Sequence, residues 1–134
     1  MERSFARSMK SLDHVFAFIS EFFNNQVIGA TVAFSIRFAV EELFTNLVKY
    51  NKDGKSEISL DLSIDGKNIV VHIRDYEKHP FDPTKAPDPD LHAPLENRRP
   101  GGLGIFLVKK MVDKVEYRYT ENMSTITLVH SLEK

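Results

Sequence analysis

Two runs of alternating hydrophobicity set the limits on what this chain can fold into. Ile58, Leu60, Leu62 and Ile64 alternate with polar residues, Asp65-Gly66 supplies a hairpin turn, and Ile69, Val71 and Ile73 repeat the alternation on the return. Period two puts all of these apolar side chains on one face of a sheet. Such a sheet needs a cover on that face only, and the flanking segments change to a helical period. After Ser11, read as an N-cap, Leu12, Val15, Phe16, Ile19, Phe22 and Phe23 recur at helical spacing as far as Asn24-Asn25. A second helix starts between Val27 and Thr31 and runs to about Tyr50. Its stripe is Ile36, Val40, Leu43, Leu47 and Tyr50, widened by Ala39 and Phe44. A third helix spans Ile105 to about Asp113, and two strands follow, around Val115–Thr120 and Thr125–Leu132, joined by a turn near Glu121–Ser124. Glu2–Met9 has the weak alternation of an edge strand. The expected class is α+β: a two-layer α/β sandwich with a mixed, mainly antiparallel sheet and helices on one face. No repeat or boundary divides residues 1–134, so one domain is expected.

Between Tyr76 and Pro100 no period exists, and all six prolines of the chain lie there. A connection this long inside a compact domain suits a functional lid, placed at about 76–100. Charge and composition exclude several other roles. The net charge of −1 gives no electrostatic case for nucleic acid or an anionic membrane as the main partner. The absence of cysteine rules out disulfides, thiolate metal sites and a cysteine nucleophile. No apolar run has the length of a signal core or a membrane span, so a soluble, cytoplasmic protein is expected. The five histidines are scattered without metal-ligand spacing, and the phenylalanines fall at core periods.

Three places carry candidate chemistry. Glu42 and Asn46, four residues apart on the second helix, project within about 40° of one another beside the apolar stripe. Glutamate suits a general base and an amide oxygen suits a hard cation such as Mg²⁺. The plain alternative is a solvated helix face with Lys49 nearby for pairing. Asp75 ends an alternating strand, where a carboxylate can accept from the exocyclic amine of adenine. Its alternative is an aspartate that begins a turn. Gly101-Gly102-Leu103-Gly104 runs straight into the third helix. Glycines allow close backbone approach, and helix N-termini aim free N–H groups at anions, which together make a phosphate cradle. A flexible capping turn is the alternative. No Gly-Lys-Ser/Thr follows, so the loop is not a Walker A motif, and its glycine spacing does not fit a dinucleotide fingerprint.

Taken in order, these segments resemble the Bergerat-fold (GHKL) ATPases, in their anti-sigma-factor serine/threonine-protein kinase branch. Glu42-Leu43-Phe44-Thr45-Asn46 is similar to the Glu-x-x-x-Asn N box, and Asp75 to the first position of the G1 box. Pro80-Phe81-Asp82-Pro83 resembles the short motif that follows in this branch, and Gly101–Val108 resembles the G2 box. The resemblance covers roughly Phe38 to the C-terminus. It implies that Glu42 is the base that prepares an attacking hydroxyl and that Asn46 holds Mg²⁺. Asp75 would read adenine, and Gly102 and Gly104 would contact the phosphates of ATP beneath a lid at about Thr84–Pro100. It implies phosphorylation of a serine or threonine on a STAS-type anti-sigma-factor antagonist and sequestration of a sigma factor, with homodimers in some members. Three features depart from the pattern. Glu77 stands where the G1 box has glycine, Pro80–Pro83 is displaced by one residue, and Tyr50 replaces a common histidine. Glu77 favours an alternative of another class, a non-catalytic module whose nucleotide gates sequestration of a partner.

Overall fold

A computed structural model of the chain describes residues 1–51, 54–77, 82–85 and 102–133. The two alternating runs form strands β2 (Ile58–Asp65) and β3 (Asn68–Asp75), paired antiparallel with Leu60 opposite Ile73 and Leu62 opposite Val71. Together with β1 (Glu2–Phe5), β4 (Lys114–Thr120) and β5 (Met123–Ser131) they build a sheet of order β1-β2-β3-β5-β4. Every pairing is antiparallel, so the mixed sheet allowed by the sequence resolves to a wholly antiparallel one.

Ile58, Leu60, Leu62, Ile69, Val71, Ile73, Ile126 and Leu128 form the buried face. They share one core with helices α1 (Leu12–Asn24), α2 (Ala30–Tyr50) and α3 (Gly102–Met111). In α1 the buried set is Val15, Phe18, Ile19 and Phe22, a strict i, i+3, i+4, i+7 stripe. Phe18 therefore takes the inward place expected for Phe16, because Phe16 lies one residue off that stripe. In α2 the expected stripe is buried from Ile36 to Leu47, but Tyr50 in the last turn is 56% exposed. Phe34 is a second exception to the packing role of the phenylalanines; it is exposed and stacks on Phe38. Among the described residues no helix is long and apolar enough to cross a membrane.

Ser11 occupies the N-cap position of α1, as the sequence reading has it, whereas the start of α3 differs. A single 3-10 turn, Met9–Ser11, precedes α1, and its cap is Ser8, whose Oγ accepts from Lys10 N at 3.1 Å. Ser11 makes no side-chain cap bond; its hydroxyl donates to Ala6 O at 2.8 Å. Helix α3 begins at Gly102, three residues before the expected Ile105, so Gly102 and Gly104 belong to the first turn of the helix rather than to a loop ahead of it.

The β4–β5 connection is a two-residue turn in which Glu121 and Asn122 have φ of 54° and 63°. Positive φ at both central positions is the I′ arrangement that matches strand twist, and it favours Asn-Gly. Glutamate is strained there. The pair Glu121→Asn, Asn122→Gly is expected to stabilise the protein by about 1 kcal/mol, read as a higher urea midpoint at unchanged slope.

Candidate functional site

Glu42 and Asn46 lie one turn apart on α2, half-buried, and Asn46 Nδ2 donates to Glu42 Oε1 at 3.2 Å. Thr45 caps back to Glu42 O at 3.1 Å, so the segment is tied to its own helix. Lys49, the expected pairing partner in the solvated-face alternative, is exposed, and Glu42 is bound to the amide instead.

Helix α3 packs on α2 at this point. A Cβ at Gly104 would overlap the Glu42 carboxylate, with Oε2 at 2.6 Å and Oε1 and Cδ closer still. The carboxylate thus rests on bare backbone in the first turn of α3, a contact that only glycine permits. That turn carries N–H groups without intrahelical partners, which suit an anion. The structure therefore brings the first and third sequence segments together. Leu103 between the two glycines is 44% exposed. Gly101 and the stretches 78–81 and 86–100, which take in most of the lid expected at about 76–100, lie outside the described residues.

Asp75 continues the inward alternation of Ile69, Val71 and Ile73 and is 6% exposed, with Ile58 and Ser124 as its strand neighbours. Burial pushes its carboxyl above the usual carboxylate range, against the opposing pull of the Arg7 guanidinium; Glu77 raises it further and Ser56 lowers it. Arg7 donates to Asp75 Oδ1 and to the carbonyl of Leu47, the residue after Asn46. One side chain thereby joins the end of β3 to the turn of α2 that carries the Glu/Asn pair.

Arg7 and Ser56 were not found by sequence reasoning. Arg7 follows an edge strand, and nothing local distinguishes it from a solvated arginine; the signal it does carry is the inward phase of Arg3, Phe5 and Arg7. Glu77, noted only as a departure, is bound: Ser56 Oγ and N donate to its Oε1 at 2.7 and 3.2 Å, and these hydrogen bonds hold its carboxyl below the ordinary range.

Asp82 is the next described residue after Glu77. Its Oδ1 accepts from Thr84 N at 2.8 Å and from Thr84 Oγ1 at 2.5 Å, which starts the 3-10 turn Pro83–Lys85. This turn departs from the period-free reading of 76–100. Pro83 is buried, and Lys109 Nζ of α3 donates to Thr84 O at 2.9 Å.

Among the described residues no group of three or more His, Asp or Glu could hold a metal by itself. Mg²⁺ that arrives with a nucleotide needs only one or two protein oxygens beside phosphate. The side-chain oxygen of Asn46, whose Nδ2 is bonded to the carboxylate seated on the first turn of α3, fits that requirement.

Residues 5–130 match the family described as the histidine kinase-like ATPase domain. Three curated relatives are also similar. Serine/threonine-protein kinase BtrW of Bordetella bronchiseptica is 26% identical over 102 residues, covering 75% of this chain and 71% of the relative. Serine-protein kinase RsbW of Halalkalibacterium halodurans is 32% identical over 87 residues, 62% of this chain and 53% of the relative. Serine-protein kinase RsbW of Listeria monocytogenes is 27% identical over 112 residues, 74% of this chain and 66% of the relative. The chain thus spans little more than half of one of these relatives and about two thirds of another.

Proposed function

The chain belongs to the histidine kinase-like ATPase domain family, and from that premise we propose that it is an anti-sigma factor with serine/threonine-protein kinase activity. Its substrate is the serine or threonine hydroxyl of a STAS-type anti-sigma-factor antagonist, and its second partner is a sigma factor. One domain, residues 1–134, carries the activity in the cytoplasm, with the ATP lid at about 76–100 and with homodimer formation open to it. The observation that carries this reading is the Glu42 carboxylate, hydrogen-bonded by Asn46 and seated on Gly104 in the first turn of α3.

Bound Mg²⁺-ATP supplies the transferable phosphoryl group. The protein contributes position and charge, which is most of what phosphoryl transfer asks of it. Asp75 accepts from the exocyclic amine of adenine. The backbone N–H groups of Gly101, Gly102, Leu103 and Gly104 bind phosphate oxygens. Asn46 offers its carbonyl oxygen to Mg²⁺ while its Nδ2 orients Glu42. Glu42 accepts the proton of the attacking hydroxyl as general base.

A second reading, a nucleotide-gated sequestering module without catalysis, is favoured by the side chain of Glu77 where the motif has glycine. The two readings part on phosphoprotein formation. Incubation with Mg²⁺-ATP and a cognate STAS protein should add one phosphate to a serine or threonine of that protein, seen by mass spectrometry. An unmodified antagonist, with nucleotide binding established, removes the kinase reading and leaves the module.

Binding itself has a separate test. ATP or ADP with Mg²⁺ should raise the melting temperature, since a ligand stabilises the state it prefers. Asp75→Asn should abolish most of that rise, because the neutral amide presents an N–H₂ to the base as readily as an acceptor. A wild-type melting curve indifferent to adenine nucleotides would remove nucleotide binding from the account.

A further inference from the structure

The N-terminal segment delivers to the base-reading carboxylate an arginine that none of the three sequence segments contains. Arg7 uses all three of its nitrogens: Nε donates to Ser56 O at 3.3 Å, Nη1 to Leu47 O at 3.1 Å, and Nη2 to Ser56 Oγ at 3.2 Å and to Asp75 Oδ1. Glu77 Oε1 lies 3.4 Å from the same Nη2, and the arginine side chain is 2% exposed. Gly54 closes the cluster, since a Cβ there would stand 2.6 Å from Glu77 Oε1 and 2.9 Å from Arg7 Nε. The guanidinium therefore cannot swing away without stranding two backbone carbonyls and the buried Asp75 carboxylate. It is a fixture of the site, not a plug that a ligand displaces. Arg7 takes one oxygen of Asp75, and a carboxylate has about four acceptor positions, so capacity for a base amine remains.

We propose that Arg7 is the positioning residue for nucleobase recognition and that Glu77 competes with Asp75 for its guanidinium, so that the two together set how firmly Asp75 is kept as an ionised acceptor. This rests on the proposed adenine-reading role of Asp75. It also gives the glutamate in the glycine position a function: Glu77 weakens the hold of Arg7 on Asp75 and adds a like charge beside it.

The charged and titratable groups around Asp75 can be named element by element. Arg7 follows β1, Ser56 precedes β2, and Glu77 follows β3. Ser124 of β5 is the strand neighbour, and it contacts the Tyr117 hydroxyl of β4 at 3.2 Å. Burial raises Tyr117, and the charges of Asp82 and Asp75 raise it further, so both carboxylates are felt at that hydroxyl. Arg7 is the sole cation among the causes that act on Asp75. Removing it leaves burial, the largest influence, and Glu77, which favour the protonated carboxyl, against only the smaller opposing hydrogen bond of Ser56. Removing the Glu77 charge has the opposite sign.

The test is the pH dependence of ADP affinity, by calorimetry between about pH 4 and pH 8, for wild type, Arg7→Met, Arg7→Lys and Glu77→Gln. Titration of the nucleotide itself is common to all four and cancels in the comparison. Binding is present while Asp75 is ionised and is lost as the pH falls through its midpoint. That midpoint should move up in Arg7→Met, so that binding is lost at a pH where the wild type still binds. It should return most of the way in Arg7→Lys and move down in Glu77→Gln. A carboxyl-carbon NMR titration of Asp75 should follow the same order without nucleotide. Midpoints that stay put, or that move the same way in Arg7→Met and Glu77→Gln, overturn the proposal. If Arg7→Met does not fold, Arg7→Lys and Glu77→Gln still decide it by the sign of their shifts. A wild type that binds no adenine nucleotide at any pH overturns the base-reading role of Asp75 itself, and that arm is read first.

Discussion

Replacement of Glu42 by glutamine is expected to lower phosphoryl transfer to the antagonist by on the order of 10²–10⁴ with ATP affinity close to wild type. The two side chains have the same shape, and the amide oxygen of glutamine can still accept from Asn46 Nδ2, so the contact of 3.2 Å survives. Only the capacity to take a proton goes. Asn46→Ala should behave differently, weakening Mg²⁺-dependent ATP binding because it removes a cation ligand as well as the donor that orients Glu42. Single-turnover transfer at saturating ATP separates the two variants. A Glu42→Gln protein that phosphorylates at the wild-type rate would exclude Glu42 as the base.

Gly104→Ala is expected to be nearly as damaging to transfer and nearly harmless to the fold. In a helix alanine is better than glycine by about 1 kcal/mol. The added methyl would overlap the Glu42 carboxylate, however. The overlapping atoms are the far end of a flexible side chain, so Glu42 gives way and the helix pair does not. Stability should therefore change by no more than about 1 kcal/mol, while the displaced base no longer faces the phosphate end of α3. A loss of positioned base catalysis is on the order of 10²-fold or more. The double variant Glu42→Gln, Gly104→Ala should be no slower than the worse single one, since both act on one group. Additive losses would mean that Gly104 serves some contact other than the seat of Glu42.

What the sequence revealed follows the range of the physics involved. The Glu42/Asn46 pair was legible because four residues of helix fix their common face, whatever the rest of the chain does. Asp75 was legible as the end of an alternating run, and the structure adds that it keeps the inward phase of that run. Gly104 was noticed but placed in a turn: glycine is a poor helix former, and the reason it sits in α3 is a side chain on another helix. Ser11 was legible as the N-cap position of α1, but the 3-10 turn that Ser8 caps just before it was not, because one short turn has no pattern of its own. Arg7 was beyond reach. Its partners Leu47, Ser56 and Asp75 lie 40, 49 and 68 residues away in sequence, and their meeting depends on β1 pairing with β2 across the whole of α1 and α2.

That same long closure has a kinetic side. The β2–β3 and β4–β5 hairpins close over two-residue turns and can form early, whereas β1 and Arg7 must wait for a large loop to be closed before any contact rewards them. Substitutions at Arg7 should therefore leave the folding limb of a chevron nearly unchanged and steepen loss through faster unfolding, a φ-value near zero. Native-state exchange should report β1 amides opening ahead of the β2–β3 ladder. The carboxylate proposed to read the base would then acquire its counter-ion only in the last step of assembly, so a chain caught just short of the native state would have most of its core and its α2–α3 pair but would hold a nucleobase only at a higher pH than the finished protein needs.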